Sequence, residues 1–214
     1  MYNLGNTFSD MEVGSGTNLL ISDPSMTGKR DIALDILAHG GNGGDGDGAI
    51  IVTTKDGGEH ILSEYNSRLD TTTPVGVVDC VSKQQGMNPR QIDGIEFASS
   101  PVDMTGIGIK LSEFLQQFYD SGVRANRIAF DSLSTLLMYS NLQTVFRFLH
   151  VFTGRVQSAE ALGLFVIDSM AHDNQTMSTL RQLFDGEIEV REAEGNDSEI
   201  RVKGIGSTTT WQPL

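Results

Sequence analysis

Short apolar runs alternate with stretches of helical periodicity along most of this 214-residue chain, and that alternation constrains its fold more than any other feature. Asn18–Ser22, Ala49–Thr54, Val75–Asp79, Glu96–Ser99, Arg127–Asp131 and Leu162–Asp168 read as buried strands. Between them the spacing changes. Ile32, Ala33, Ile36 and Leu37 share one helix face, as do Ile61, Leu62, Tyr65 and Leu69. Further helices are expected up to Tyr119, from about Asn141 to Glu160, and over Met177–Phe184. Strands joined through helices imply crossover connections. The expected fold is therefore α/β, with a mostly parallel central sheet and helices on both faces. Glu187–Val190 and Glu199–Lys203 are expected to pair across Gly195-Asn196-Asp197 as a C-terminal β-hairpin extending one edge. Gly40–Gly48 and Ser82–Gly94 read as loops. With no repeat and no linker in view, residues 1–214 are expected to form one domain.

Charge narrows the partners. The chain carries 28 acids against 15 bases, a net −13, and its only lysines are Lys29, Lys55, Lys83, Lys110 and Lys203. Binding a nucleic-acid backbone needs cationic surface, so nucleic acid is not the expected partner. An acidic, lysine-poor surface resembles that of proteins from salt-loving archaea, where concentrated salt screens repulsion between carboxylates; the other reading is an ordinary acidic surface. No run of about 18 apolar residues is present, so no membrane span is expected. The N-terminus lacks the regions of a signal peptide, and Cys80 is the sole cysteine, which together predict a cytoplasmic protein.

The stretch Asp23-Pro24-Ser25-Met26-Thr27-Gly28-Lys29-Arg30 follows the first long strand and opens a helix. A phosphate-binding loop in that context reads G-x-x-x-x-G-K-[ST]. Gly28 and Lys29 fit: the glycine allows close backbone approach, and the lysine reaches a β- or γ-phosphate. Amides at the helix N-terminus add an anion site. Asp23 replaces the leading glycine, and Arg30 replaces the hydroxyl that holds Mg²⁺. Downstream, Asp131 ends an apolar strand, where such proteins place the carboxylate that helps hold the metal.

In this order the motifs resemble the RecA superfamily, specifically its KaiC-like archaeal branch and the haloarchaeal members of it. The resemblance runs from about Gly14 to Trp211. It is carried by Thr17–Ile21, Met26–Lys29, Phe130–Ser134, Leu183–Ile188 and Lys203–Ser207. It implies a RecA-like P-loop fold with ATP or another nucleotide bound by Asp23, Pro24, Ser25, Met26, Thr27, Gly28, Lys29, Arg30 and Asp131. It also implies rings or filaments, hence self-association or a protein partner. Members with ATPase activity carry two glutamates after the second strand to activate water; here those places fall on Lys55 and Asp56. The family's Lys-x-Arg near the C-terminus reaches a neighbour's phosphate; here it is Lys203 followed by Ile205. Position 30 offers Mg²⁺ no ligand, and the Arg30 guanidinium is placed to sit where the metal would and to pair with Asp131. The expectation is a degenerate P-loop domain with a regulatory or interaction role that binds nucleotide with little or no hydrolysis. An ATPase with a non-standard site and a recombinase-related protein remain the alternatives.

Other residues carry less. His39, His60, His150 and His172 have no metal-ligand spacing. Ser132, Ser134, Asp168 and His172 lack the G-x-S-x-G elbow of a hydrolase triad. Cys80 reads as core. On the long helix, Leu142, Val145, Phe146, Leu149, Phe152 and Val156 form one stripe, which Phe148 and Val151 widen beyond what one sheet face needs. Those two residues are the candidate partner surface, with burial against neighbouring helices as the other account. The Ser99–Gly108 loop follows a strand and is expected at the sheet's carboxyl edge near the phosphate loop, with Thr105 as a possible helix cap.

Overall fold

The computed structural model describes residues 1–5, 8, 11–24, 28–39, 47–69, 73–87, 90–192, 198–206 and 209–214. Among these, nine strands form one sheet. The strand that leads towards Gly28 and Lys29, β3 (Asn18–Asp23), lies between β8 (Leu162–Asp168) and β9 (Gly186–Glu192). Beyond β8 come β7 (Asn126–Asp131), β4 (Gly48–Thr53), β5 (Val75–Asp79) and β6 (Ile95–Phe97). All of these neighbours are parallel. Past β9, β10 (Ser198–Lys203) and β11 (Gln212–Pro213) continue the sheet antiparallel. Apart from it, β1 (Tyr2–Asn3) pairs with β2 (Glu12–Val13). The expected parallel sheet with an antiparallel C-terminal extension is what the chain forms; the turn expected at Gly195–Asp197 and most of the Gly40–Gly48 loop lie outside the described residues.

The central strands are buried on both faces, so they read as continuous apolar runs rather than alternating ones. Alternation is still there in three dimensions. Leu19 and Ile21 join one core with α1 (Lys29–His39) and α2 (Gly58–Asn66), while Leu20 joins the other. That second core is covered by α3 (Met104–Asp120), α4 (Leu133–Tyr139), α5 (Leu142–Ser158) and α6 (Asn174–Arg181). Its centre is aromatic: Phe130 meets Phe152 edge-on at 5.5 Å and stacks on Phe165 at 6.4 Å. Close approach needs a bare backbone on β5, where a Cβ on Gly76 would fall 2.6 Å from the Phe114 ring.

Three local expectations need correcting. α3 starts at Met104, so Gly106 and Gly108 lie inside the helix rather than in a loop. Its cap is Asp103, which accepts from Gly106 N at 2.9 Å and from Ser99 Oγ at 2.7 Å; Thr105 already lies inside the helix. These bonds hold the Asp103 carboxyl below its ordinary pKa, the Ser99 hydroxyl contributing most. Finally, β6 is five strand spacings from β3, about 24 Å at ~4.8 Å each, so the Ser99–Gly108 segment lies across the sheet from the phosphate loop. Among the described residues, no helix is long and apolar enough to cross a membrane.

Candidate functional site

Parallel strands put their carboxyl ends on one edge, and in this chain that edge is lined with acids. In register, Asp23 ends β3 beside Asp168 of β8. Thr53 ends β4 between Asp79 of β5 and Asp131 of β7. Asp23, Asp79 and Asp131 are all buried. Asp79 is committed to structure, receiving bonds from Gly58 N at 2.7 Å and Ser82 Oγ at 2.6 Å. The others face the N-terminus of α1, which supplies the cations.

Gly28 enters α1 with φ of +89°, a left-handed conformation in which a side chain would be strained. The two residues that follow turn their charges onto the chain's own carboxylates. Lys29 Nζ lies 2.5 Å from Asp23 Oδ1 and also donates to the Pro24 carbonyl at 3.5 Å. Asp23 therefore does more than replace a glycine: it pairs with Lys29. Of the remaining loop residues, Ser25, Met26 and Thr27 lie outside the described residues.

Arg30 is the hub. Its Nε donates to Asp131 Oδ2 at 2.5 Å, one terminal nitrogen donates to Asp56 Oδ2, and the other stands 3.8 Å from Glu64 Oε2. Burial alone would lower the guanidinium pKa, but Asp131 and Asp56 outweigh it and hold it above its ordinary value. Asp56 is brought into reach by a tight turn in which Thr53 Oγ1 donates to the Asp56 carbonyl at 2.7 Å. Next to it Thr54 Oγ1 accepts from Ser132 N at 2.8 Å, tying the ends of β4 and β7 together. The pairing expected between Arg30 and Asp131 is present. Asp56 and Glu64 as further partners were not foreseen, because only the fold brings α2 alongside α1.

The positions that depart from the ATPase pattern have local roles. Lys55 is exposed. Lys203 pairs with Glu189 at 2.7 Å. Ile205 packs on the core against Gly186, where an added Cβ would come within 2.6 Å of it. Burial opposes ionisation of Glu189, but the bonds from Lys203 and Arg201 outweigh it and lower its pKa.

Two further clusters flank the edge. Arg181 on α6 forks onto the buried Glu187 at 2.9 Å, and Ser22 Oγ donates to the same carboxylate at 2.6 Å. His172 Nε2 lies 2.9 Å from Ser134 Oγ, which also accepts from Asp168 N at 3.0 Å. So two members of the discounted Ser-His-Asp set do meet, with Ser134 in the first turn of α4. The Asp168 carboxylate accepts from Met170 N at 3.0 Å. At the opposite edge, Arg127 is 1% exposed, pairs with Asp47 at 2.7 Å and lies 5.1 Å from the Tyr2 ring. A strand-edge arginine gave no sequence signal for that role.

Of the partner candidates on α5, Val151 is 57% exposed, while Phe148 is half-buried and meets the Phe152 ring at 5.5 Å. Cys80 is buried in the second core, with its thiol pKa pushed up by desolvation.

A family model described as a family of unknown function, DUF7504, matches residues 16–190, and the chain belongs to that family. No curated protein matches it. Among solved structures it is similar to the KaiC-like protein PH0186 from the hyperthermophilic archaeon Pyrococcus horikoshii OT3. That match has a TM-score of 0.64 at 12% identity and covers 93% of this chain and 84% of the other. It is also similar to the uncharacterized protein PH0321 from Pyrococcus horikoshii, solved in complex with an unknown peptide. There the TM-score is 0.67 at 13% identity, covering 95% of this chain and 94% of the other. The fold is thus the KaiC-like RecA fold.

Proposed function

We propose that this member of the family is a degenerate RecA/KaiC-like P-loop protein with a regulatory or protein-interaction role. It binds a nucleotide phosphate at Gly28 and Lys29 with little or no hydrolysis and without Mg²⁺. The observation that carries the reading is the position of the Arg30 guanidinium between Asp131 and Asp56. A divalent cation at a P-loop needs a hydroxyl ligand and free carboxylate oxygens nearby. These residues do not fit one: position 30 offers no hydroxyl, and the facing oxygens of Asp131 and Asp56 already accept from a cation.

Phosphate affinity is expected to be modest, because an incoming phosphate must compete with Asp23 for Lys29. Turnover needs a base for water and a cation for transition-state charge. The exposed Lys55 and the core-packed Ile205 supply neither. An interaction role is supported by the exposed apolar side chains of α3 and α5, and by the peptide held by the structural neighbour PH0321.

The test is calorimetric titration of ATP into wild type and Lys29→Ala, with phosphate release followed in parallel. The reading expects measurable wild-type affinity, a loss of at least about tenfold in Lys29→Ala, and release at background in both. Sustained turnover by the wild type that Lys29→Ala abolishes would overturn it.

A further inference from the structure

We infer that the trough between α3 and α5 docks an acidic amphipathic helix of a partner protein. The inference rests on the interaction role proposed above and names the surface and the chemistry of what it takes.

The trough exists because two helices lie over one aromatic core without filling the space between their outer faces. Ile109 on α3 is 50% exposed and Val151 on α5 is 57% exposed, with Phe148 half-buried between them. Together with Met104 they border a cavity of about 370 Å³. A second hollow, of about 700 Å³, shares Ile109 and Arg155 and continues along α3 as far as Ser121; it also carries Glu113 and Asp120, so the cationic part of the trough is the end at Arg147 and Arg155. The 17 residues of α3 span about 25 Å at ~1.5 Å per residue. A small ligand is held by an enclosed pocket, whereas a long open trough with spaced apolar anchors fits a helix laid into it.

Charge identifies the occupant. In a chain of net −13, the first cavity is lined by two arginines, Arg147 and Arg155, and by no carboxylate. Elsewhere Arg30, Arg68, Arg127, Arg181, Arg191 and Arg201 pair with acids, and Arg124 stacks on the Tyr119 ring instead. Among the described residues, Arg147 and Arg155 have no such pair. Arg155 is held on the rim by donating to Ser112 Oγ at 3.1 Å and to the Gly108 carbonyl. Gly108 makes the room, since a Cβ there would come 2.9 Å from the Arg155 guanidinium. An apolar floor with two unpaired guanidinium groups complements a helix with an apolar stripe and flanking carboxylates. A second copy docking by the same face would set these arginines against each other, which disfavours a symmetric dimer there.

The experiment selects a displayed library of amphipathic helices, apolar on one face and random on the other, against the full chain. Enriched sequences should carry Asp and Glu. Their affinity should fall at least about tenfold in Val151→Asp and in Arg147→Glu, and stay unchanged in Met138→Asp, an α4 position that is 76% exposed. All three positions are exposed, and matched melting curves establish that the variants fold. Enrichment of basic or neutral helices overturns the inference, as does binding indifferent to Val151→Asp and Arg147→Glu. Self-association that Val151→Asp abolishes, with no helix enriched, assigns the face to a second copy and overturns it too. If the wild type takes acidic helices but no ATP, the nucleotide reading fails and this one stands.

Discussion

Arg30 and Asp131 are 101 residues apart in sequence and 2.5 Å apart in space, Nε to Oδ2, at the point where α1 meets the end of β7. The side chains are 21% and 9% exposed, so the pair is largely out of water. Asp56 and Glu64 complete a ring of carboxylates around one guanidinium. Removing the cation leaves those acids facing each other. Arg30→Ala should therefore lower stability by about 1–3 kcal/mol, the cost of an unsatisfied buried polar group. Millimolar Mg²⁺ should recover part of that loss in the variant and none in the wild type. Denaturant melts of both proteins check it; a variant as stable as wild type removes the structural role of the pair.

His172 gives a pH signature. Burial lowers its pKa, against the opposing pull of Asp168 and Asp173. An unfolded imidazole titrates near 6.5, so between that pH and the lower folded value the unfolded chain binds the extra proton. Stability from this group is complete above about 6.5 and declines as pH falls through that window. His172→Gln should flatten that part of the melting-temperature profile. An unchanged slope in the variant would contradict the burial of a neutral ring against Ser134.

Phe152 anchors the second core, 1% exposed and in contact with Phe130, Phe148 and Phe165. Phe152→Ala should cost about 3–5 kcal/mol, as large aromatic deletions in close-packed cores do. Urea unfolding measures it, and a loss below about 1 kcal/mol would mean that the cluster repacks.

With 28 acids against 15 bases, the folded chain repels itself. The melting temperature should rise from low salt to molar KCl as that repulsion is screened. A flat or falling curve would sink the salt-adapted reading.

How much of this could be read from the chain follows from what each feature depends on. The long strands and helices carry their own periodicity, so β3, β4, β5, β7, β8 and α5 were legible to within a few residues. Strands of two residues, such as Tyr2–Asn3 and Gln212–Pro213, are too short for any period to show. α4 follows Asp131 so closely, at Leu133–Tyr139, that its seven residues offer little more. The start of α3 was hidden by Gly106 and Gly108, which lower helix propensity but here make room for Asp103 and Arg155. At the site, the motif order exposed Gly28, Lys29, Arg30 and Asp131. Partners set by the folded geometry were not visible: Asp23 turning back onto Lys29 across the loop, Glu64 from α2, and Ser134 meeting His172. The same dependence misplaced the Ser99–Gly108 segment, because a sequence says which strands exist before it says which ones are neighbours.

The central claim is that Arg30 stands in for the metal. ATP titration with and without Mg²⁺, on wild type and on Arg30→Thr, tests it most directly. Wild-type affinity should be the same within about twofold whether or not Mg²⁺ is present, and Arg30→Thr should bind at least about tenfold more tightly with Mg²⁺ than without it. Phosphate release should stay at background in both, since Lys55 and Ile205 are unchanged. Wild-type binding that requires Mg²⁺ would contradict the account.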